Sequence, residues 1–275
     1  MPVDTDTLPG LTPFALPGLT TRRFGRFAFY LPQVGSTNTV LKEAAPRLPS
    51  GAVCAAGVQT AGRGRMGRAW IGEGKDLPFS LLIRGERPQP ALALCCGIAV
   101  AEALTVCTGR TFRIKWPNDI ICGDKKICGI LCECFAAPDG GVFMICGIGV
   151  NLTQTAADFQ RAGLPYGGSV EMCTGKRLEP TETAAAILNR LEPLYEELDR
   201  EGFGALKPLY AENCVTLGRQ VQVTEGGRTA CGRAVDIRPD GSLLVAFGSG
   251  PGESLRPVLA GEASVRGLFG YVDEG

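Results

Sequence analysis

Arginine, lysine, asparagine and aspartate cluster beside glycine in four short segments, a composition that suits anion binding. The densest segment runs from Gln59 to Trp70 and presents Arg63, Arg65 and Arg68 between glycines. Guanidinium groups on a pliable backbone match phosphate and carboxylate oxygens. The segment formally contains G-x-G-x-x-G, but a dinucleotide site needs a helix directly after the glycines, and no helical period follows. We interpret it as a loop that presents arginine to an anion; a solvated surface loop would show the same residues.

A second segment, Lys-Trp-Pro-Asn-Asp, places Lys115 and Asp119 on either side of a Trp-Pro turn. Proline disfavours helix at the residue before it, so we expect a tight turn at the end of a strand. A cation and a carboxylate held together in this way are common in binding sites. An ordinary surface ion pair would give the same pattern.

The other two segments place glycine inside apolar strands. Lys126 opens one strand and Gly129 follows within it, where the missing Cβ permits close approach of a ligand or another backbone. The alternative is a plain hairpin whose lysines face water. The second segment, Gly-Ile-Gly-Val-Asn, ends the next strand and brings Asn151 to the rim of a sheet.

Composition excludes several classes of chemistry. The 275 residues include no His, which rules out His-based triads, dyads, zinc ligation and general bases. Lys+Arg and Asp+Glu both number 28, so the chain lacks the basic excess of a generic polyanion binder. The 12 cysteines show no C-x-x-C spacing, and we expect reduced thiols that fill space in strands and helices rather than a metal site. Since neither a signal-peptide pattern nor a membrane-spanning apolar run is present, we expect a cytoplasmic location.

The four segments need an α+β framework to position them. Apolar periodicity predicts helices over 38–47, 90–108, 180–199 and 203–212, with strands between the first three, whereas 154–168 shows no period and is predicted to be irregular. Beyond Cys214, short alternating strands separated by glycine turns predict a small β-barrel. We therefore predict a surface tail over 1–21, a mixed-sheet catalytic domain over 22–213 and a β domain over 214–275.

Taken in order, the segments resemble the biotin protein ligase family, the biotin–[acetyl-CoA-carboxylase] ligases. The resemblance begins at about residue 26 and rests on Ser36-Thr37-Asn38, G-R-G-R-x-G-R ending at Trp70, K-W-P-N-D, Lys126 with Gly129, and G-x-G-x-N. It implies a catalytic domain of the biotin/lipoate ligase type followed by a small SH3-like β-barrel. About 25 non-helical residues precede the first predicted strand, so the chain resembles the enzyme-only subgroup without a DNA-binding domain. Ile71-Gly72 replaces the family's usual Ser-Pro after Trp70.

The resemblance implies a two-step reaction. Biotin and ATP, with Mg²⁺, give biotinyl-5′-AMP and pyrophosphate, and a lysine of a biotin carboxyl carrier domain then takes the biotin. The implied catalytic residues are Arg65, Lys115, Asp119 and Lys126, and Asp119 is also the candidate Mg²⁺ ligand. The implied biotin-binding residues are Ser36, Thr37, Asn38, Gln59, Gly62, Arg63, Arg65, Trp70, Lys126 and Gly129. The implied ATP- or adenylate-binding residues are Arg65, Arg68, Trp70, Lys115, Asn118 and Asn151.

The implied partner is the carrier domain, with no role for DNA or a membrane, and a homodimer is compatible with the resemblance. Two alternatives stay open. A lipoate or octanoate ligase shares the fold but needs an apolar tunnel, whereas the Gly-Arg loop and Ser36-Thr37 favour the ureido ring of biotin. A non-catalytic sensor of biotinyl adenylate would have no need of Lys115, Asp119 and Lys126. We also expect thiol reagents to act beside the Lys126 hairpin through Cys128.

Overall fold

The computed structural model describes residues 12–248, 250–260 and 263–267. A mixed eight-stranded sheet forms the larger part, with strand order β1-β2-β3-β4-β8-β7-β6-β5. Its strands are β1 (Thr12–Pro13), β2 (Ala28–Val34), β3 (Val53–Gln59), β4 (Asp76–Gly85), β5 (Arg113–Lys115), β6 (Asp119–Cys122), β7 (Lys125–Ala136) and β8 (Val142–Asn151). β2 and β3 run parallel, and the other neighbours in this sheet run antiparallel. The mixed sheet confirms the α+β prediction.

Helices cover both faces of this sheet. They are α1 (Thr37–Ala44), α2 (Leu92–Thr108), α3 (Ala156–Arg161), α4 (Val170–Thr174), α5 (Pro180–Glu201) and α6 (Phe203–Asn213). α2 packs against α5 and α6 on one face, while α1 packs against β3, β4 and β8 on the other. α2 is apolar on nearly all sides because it lies between the sheet and two helices. Among the described residues, no helix combines the length and apolar character needed to cross a bilayer.

Strand β8 shows how the sequence divides the two faces. Ile148 and Val150 join the main core beneath α2, whereas Ile145 joins a smaller core beneath α1. Because side chains alternate along a strand, Gly147 and Gly149 share the face of Ile145. That face is therefore bare backbone towards the C-terminal end of β8, and this bare surface becomes the floor of the candidate site.

The C-terminal part is a five-stranded antiparallel sheet with strand order β12-β11-β10-β9-β13. Its strands are β9 (Gln220–Glu225), β10 (Arg228–Ile237), β11 (Leu243–Phe247), β12 (Ser254–Val258) and β13 (Ala263–Gly267). Alternation of apolar and polar residues predicts this small C-terminal β structure, but it does not predict β12. Closure of this sheet into an SH3-like barrel stays a prediction.

Trp116 joins the two sheets. Its side chain is fully buried, and its indole Nε1 donates to the backbone oxygen of Gly241 at 3.0 Å. Its backbone N–H donates to the hydroxyl of Thr216, also at 3.0 Å. The turn that carries Lys115 and Asp119 is therefore fixed from its far side by the C-terminal sheet.

The segment predicted to be irregular, residues 154–168, contains α3. Thr155 caps this helix, with its hydroxyl accepting from the backbone N–H of Asp158 and the Asp158 carboxylate accepting from the N–H of Thr155. Such a reciprocal cap stabilises a short helix through its terminus. Six residues are too few to show an apolar period, which explains why the periodicity analysis missed it.

Residues 12–21, the described part of the predicted surface tail over 1–21, lie against the larger sheet. β1 pairs with β2, and Phe14 stacks on Tyr30 with 6.2 Å between the ring centroids. Leu16 and Leu19, from the second Leu-Pro-Gly-Leu-Thr copy, pack against the main core. The richness of this segment in Pro and Gly predicts a loose tail, but the few apolar side chains between them are enough to pack it against the core. Residues 1–11 lie outside the described part.

A buried glutamate of α5 binds the backbone of residues 22–24, which follow directly after this N-terminal segment. The Glu192 carboxylate accepts backbone N–H groups of Arg22, Arg23 and Phe24 at 2.5, 2.8 and 2.8 Å. Burial raises the pKa of Glu192, but the three N–H donors outweigh burial and leave the pKa below its ordinary value. The carboxylate therefore stabilises the fold in its charged form.

Replacing Glu192 by alanine is expected to lower the free energy of unfolding at pH 7 by about 3 kcal/mol, because three backbone donors lose their acceptor. Glu192→Gln keeps the shape and removes the charge. Since the folded pKa is depressed, the contribution of the charge is present above the unfolded pKa of about 4.3 and is lost as pH falls through the folded value. Urea denaturation at pH 7 and at about pH 3 to 4 measures the free energy of unfolding of both variants. The difference in this free energy between wild type and Glu192→Gln should become smaller in acid.

Glu196→Ala is the matched control for Glu192→Ala. Glu196 lies one turn further along α5 and binds the exposed Arg22 guanidinium at 2.9 Å. A surface ion pair contributes at most about 1 kcal/mol. Equal losses of stability for the two alanine variants would contradict the role given to Glu192.

Candidate functional site

A connected set of polar side chains lies beneath the N-terminus of α1. The Gln59 Oε1 accepts from the backbone N–H of Thr37 at 2.8 Å and from its hydroxyl at 3.1 Å. The Ser80 hydroxyl lies 2.7 Å from the Thr37 hydroxyl and 2.6 Å from Asn38 Oδ1. Asn38 Nδ2 donates to Glu133 Oε2 at 2.7 Å. Residues from α1, β3, β4 and β7 thus hold one another in fixed rotamers, which preorganises a polar wall.

Two more predicted site residues stand at the edge of this wall. Ser36 occupies the N-cap position of α1, is buried, and makes no side-chain cap hydrogen bond. The Arg63 guanidinium is exposed, donates to the Thr39 hydroxyl at 3.2 Å and lies 3.6 Å from Glu133 Oε2. The wall therefore carries a hydroxyl at one end and a cation at the other.

Glycines form the floor beside the polar wall, and the Trp70 indole lies directly on it. A Cβ added to Gly149 would lie 2.5 Å from Trp70 Cε2, and one added to Gly129 would lie 3.0 Å from Trp70 Cζ3. A Cβ on Gly147 would lie 2.4 Å from Asn38 Oδ1. A side chain at Gly149 would push the indole off the sheet and one at Gly147 would push the Asn38 amide, whereas one at Gly129 would be a tight fit against the indole.

The loop holds Trp70 in this position through its own backbone. Trp70 N–H donates to Gly62 O at 2.9 Å, and a Cβ on Gly62 would lie 2.7 Å from Trp70 O, so the close crossing needs glycine. The indole Nε1 donates to Asp76 Oδ2 at 2.8 Å. Burial raises the pKa of Asp76, and the Trp70 hydrogen bond opposes that rise. Asp76 thereby sets the angle of the indole over the floor.

Charged groups gather at the other end of the floor. Lys115 and Asp119 are cross-strand neighbours on β5 and β6, and both are at least nine-tenths buried. Lys126 Nζ lies 2.6 Å from Asp119 Oδ1, and 5.9 Å from the centre of the Trp70 ring. Two ammonium groups and one carboxylate are thus concentrated where Trp70, β6 and β7 meet, in surroundings of low dielectric that strengthen their action on a charged ligand.

Arg65 reaches from the loop into the same cluster. Its guanidinium donates to Asn118 Oδ1 at 3.0 Å and to the backbone oxygen of Ala260 in the C-terminal part. Burial lowers the pKa of the Arg65 guanidinium, and the nearby Asp119 charge opposes that fall. Arg68 is exposed on the outer part of the loop and acts on Arg65 as a neighbouring positive charge. The loop thus presents two cations, Arg65 within the charged cluster and Arg68 outside it.

The side-chain amides of Asn118 and Asn151 donate to backbone oxygens of the protein itself. Asn118 Nδ2 donates to Ile130 O at 2.8 Å, and Asn151 Nδ2 donates to Gly168 O at 3.0 Å. Gly168 N–H in turn donates to Lys126 O at 3.0 Å. Asn151 therefore fastens the segment around Gly168 to β7 and β8, beside Lys126.

Comparison with known proteins places this arrangement. Residues 30–151 match the biotin/lipoate A/B protein ligase family, and residues 216–266 match the biotin protein ligase C terminal domain. The bifunctional ligase/repressor BirA of Bacillus spizizenii is 32% identical over 233 residues, covering 83% of this chain and 72% of that protein. The chain belongs to the biotin protein ligase family. The biotin–[acetyl-CoA-carboxylase] ligase of Paracoccus denitrificans is 29% identical over 230 residues, or 78% of this chain and 92% of that one.

A solved biotin protein ligase shares the overall structure. The enzyme from Aquifex aeolicus in complex with biotin and ATP aligns over 88% of this chain and 99% of its own, with a TM-score of 0.76 and 29% sequence identity. The ligase of Leishmania major in complex with biotinyl-5-AMP aligns over 85% of this chain and 98% of its own, with a TM-score of 0.56 and 22% identity. At that identity the second likeness concerns the fold alone.

Three residues that hold the candidate site together were not predicted from the sequence. Ser80 and Asp76 lie on β4, and Glu133 lies on β7 two alternations beyond Gly129. Period-two alternation from Gly129 would have placed Glu133 on the site face. For Ser80 and Asp76 the signal is a polar residue inside an otherwise apolar strand, which is costly to bury without partners.

The structure argues against the expectation that thiol reagents act through Cys128. The Cys128 side chain is fully buried in the main core, on the face opposite Gly129, and burial raises the pKa of its thiol. Cys122, at the end of β6, is half-buried. Of the two cysteines that flank Lys126 in sequence, Cys122 is therefore the one that a reagent can reach.

Proposed function

We infer that this chain is an ATP-dependent ligase that activates biotin as biotinyl-5′-AMP and transfers it to a lysine of a biotin carboxyl carrier domain. The supporting observation is the joint presence of a polar wall, a glycine floor and a buried Lys–Asp–Arg cluster on a framework matched over 88% of its length by a ligase bound to biotin and ATP. Each part has a task in that chemistry.

The first step joins two anions. A carboxylate oxygen of biotin attacks the α-phosphorus of ATP, the bond from that phosphorus to the bridging oxygen breaks, and pyrophosphate leaves. Mutual repulsion is the main barrier to approach, so the protein must neutralise charge and hold the reactants in line. We propose Lys115 and Arg65 as the cations on the phosphate side and Lys126 as the cation on the carboxylate side.

The second step needs a neutral amine. The acceptor lysine attacks the carbonyl carbon of the mixed anhydride, the bond to the phosphate oxygen breaks, and AMP leaves with the electron pair. Asp119 is the proposed group that orients the amine and accepts its proton. The carboxylate is held at the site by Lys126 Nζ at 2.6 Å, which places it beside the cation proposed for the carboxylate of biotin.

The polar wall is the proposed site of the biotin ureido ring. A ureido group offers one carbonyl acceptor and two N–H donors, and the wall offers both kinds of partner through hydroxyl, amide and carboxylate groups. The residues assigned to it are Ser36, Thr37, Asn38, Gln59 and the Gly62–Arg63 backbone, with Ser80 and Glu133 holding them in place. Gly129 leaves room for the bicyclic ring, and Trp70 covers it.

The nucleotide is proposed to lie on the side of Arg68 and Trp70. Asn118 and Asn151 act there as positioning residues, because Asn118 bonds Arg65 and Asn151 fastens the segment around Gly168. Mg²⁺ fits as an ion carried chiefly by the ATP phosphates, since Asp119 supplies a carboxylate and Mg²⁺ commonly combines one or two carboxylates with phosphates and water. Bound in this way, it would neutralise phosphate charge beside the lysines.

Labelled biotin, ATP and a purified biotin carboxyl carrier domain test this function. We expect label on one lysine of the carrier, dependent on ATP and Mg²⁺. Incorporation of lipoate instead of biotin would favour a lipoate ligase, and adenylate formation without transfer would favour a sensor of biotinyl adenylate. Either outcome would overturn the proposal. The carrier is the proposed partner rather than DNA, since the formal charge is zero; a homodimer and a cytoplasmic location complete the proposal.

Gly149→Ala tests the glycine floor. The new Cβ would overlap the Trp70 ring, so we expect the indole to leave the floor and the KM for biotin to rise about tenfold or more, as overpacking of a fitted surface costs about 1–3 kcal/mol. Steady-state kinetics and the emission of Trp70 measure both effects. Gly204→Ala in α6 is the control because its Cβ would meet nothing within 4 Å. An unchanged KM for biotin in Gly149→Ala would remove Gly149 from the biotin site.

A further inference from the structure

Three cysteines that the proposed ligase reaction does not use meet on the reverse side of the floor. Cys132 on β7 and Cys146 on β8 are directly paired across the sheet, and Cys96 of α2 lies above them. The three Sγ atoms all lie within 4.8 Å of one another. Cys96 and Cys146 are fully buried and Cys132 is half-buried. Sequence spacing predicts only space-filling thiols here, because the three cysteines come from distant parts of the chain.

The spacing of the sulfurs suits a single three-coordinate centre. Three sulfurs bonded at about 2.3 Å to one central atom would lie about 4.0 Å apart in a plane and about 3.5 Å apart in a pyramid. Rotation of three short side chains about their Cα–Cβ bonds can close the observed upper limit of 4.8 Å to that spacing. A structural zinc ion takes four ligands. Among the described residues no fourth His, Cys, Asp or Glu joins this group.

Charge decides which element fits. Three thiolates around a monovalent or divalent metal leave a net negative charge, which is expensive inside a core. Glu133 already acts on Cys132 as a nearby negative charge. A trivalent element with three thiolates is neutral and avoids that cost. We propose that Cys96, Cys132 and Cys146 form a binding site for one trivalent thiophilic element of the arsenic class, held as a tris-thiolate.

The binding reaction is balanced and needs no oxidant. Arsenous acid, As(OH)₃, exchanges its three hydroxyl groups for three thiols, forming three As–S bonds and releasing three water molecules. Each thiol gives its proton to the hydroxyl group that it displaces, so three S–H and three As–O bonds break as three As–S and three O–H bonds form.

Occupancy of this site would tie α2 to the two central strands. Each As–S bond replaces a packing contact between elements that come together only in the folded chain. A ligand that binds the native state and not the unfolded state raises the melting temperature. Binding is therefore expected to stabilise the protein independently of any ligase activity.

The test uses the full-length, reduced protein and arsenite as the probe. We expect native mass spectrometry to show one arsenic atom per chain with loss of three hydrogens, together with a rise in melting temperature. Arsenic X-ray absorption should show three sulfur neighbours. Cys132→Ala should weaken binding about 100-fold, because the third thiol acts at high effective concentration. Cys134→Ala, at an exposed thiol two residues along β7, should leave binding unchanged.

Three results would overturn the site. One is the absence of arsenite binding; another is equal affinity in wild type and Cys132→Ala. The third is a centre with two sulfurs and one oxygen, which would point to a two-thiol site elsewhere, such as Cys122 with its hydrogen-bonded neighbour Cys173. The X-ray absorption result needs only the wild-type chain, so it decides the question even if Cys132→Ala fails to fold.

Discussion

Asp119→Ala will lower the rate of biotin transfer to the carrier domain by about 10²–10⁴-fold, the range over which a positioned general base acts. The acceptor amine loses the group that orients and deprotonates it, while the cations proposed for the first step remain. Adenylate formation, measured by exchange of labelled pyrophosphate into ATP, should fall much less than transfer. A single-turnover measurement, in which preformed biotinyl adenylate meets the carrier domain, isolates the second step.

Two further variants separate proton transfer from structure. Asp119→Asn keeps the shape but loses the charge, so it should resemble alanine in transfer. Asp124→Ala removes the next carboxylate along the hairpin, whose partner Lys125 lies 3.3 Å away at the surface, and should leave transfer unchanged. Thermal melting checks the fold, since an unpaired Lys126 ammonium costs stability. Transfer at the wild-type rate in a folded Asp119→Ala enzyme would exclude Asp119 as the base.

Arg65→Ala will release biotinyl adenylate faster, by about 10- to 100-fold, because a charge-assisted hydrogen bond at a buried site contributes about 1.5–3 kcal/mol. Arg65 is also the residue through which the loop touches both Asn118 and the Ala260 backbone. Its loss therefore removes a charge from the adenylate and a fastening from the loop. The measurement is the escape of labelled adenylate from the preloaded enzyme into excess unlabelled biotin and ATP.

Arg65→Lys distinguishes the two contributions. Lysine restores the charge without the planar fork that spans Asn118 and Ala260, so it should recover only part of the retention. Arg200→Ala removes an exposed arginine of α5 that pairs with its neighbour Glu201, and it serves as the control. Wild-type retention of the adenylate by Arg65→Ala would remove Arg65 from the adenylate site.

Local sequence was enough to predict most of the framework and the charged part of the site. Lys115 and Asp119 lie within five residues on a Pro-containing turn, so their proximity follows from a short loop. The long helices α2 and α5 follow from apolar period. Such features depend on residues that are close together in the sequence, so they can be predicted from one sequence alone.

The parts that escaped prediction depend on sheet register. Ser80 meets Asn38 across 42 positions, and Cys132 meets Cys146 only because β7 and β8 pair in one register. A shift of one residue would turn either side chain to the opposite face. Short pieces such as α3 depend on a cap rather than on periodicity, and they escaped for that reason.

The indole of Trp116 makes the two sheets one cooperative unit. The indole N–H donates to the backbone oxygen of Gly241, the backbone N–H of Trp116 donates to the Thr216 hydroxyl, and the ring is fully buried. Pulling the sheets apart would break both hydrogen bonds and expose the large apolar ring to water, so the smaller sheet should not melt ahead of the larger one. The C-terminal sheet therefore helps to hold the turn between Lys115 and Asp119, so the separation of these two site residues depends on that sheet being folded.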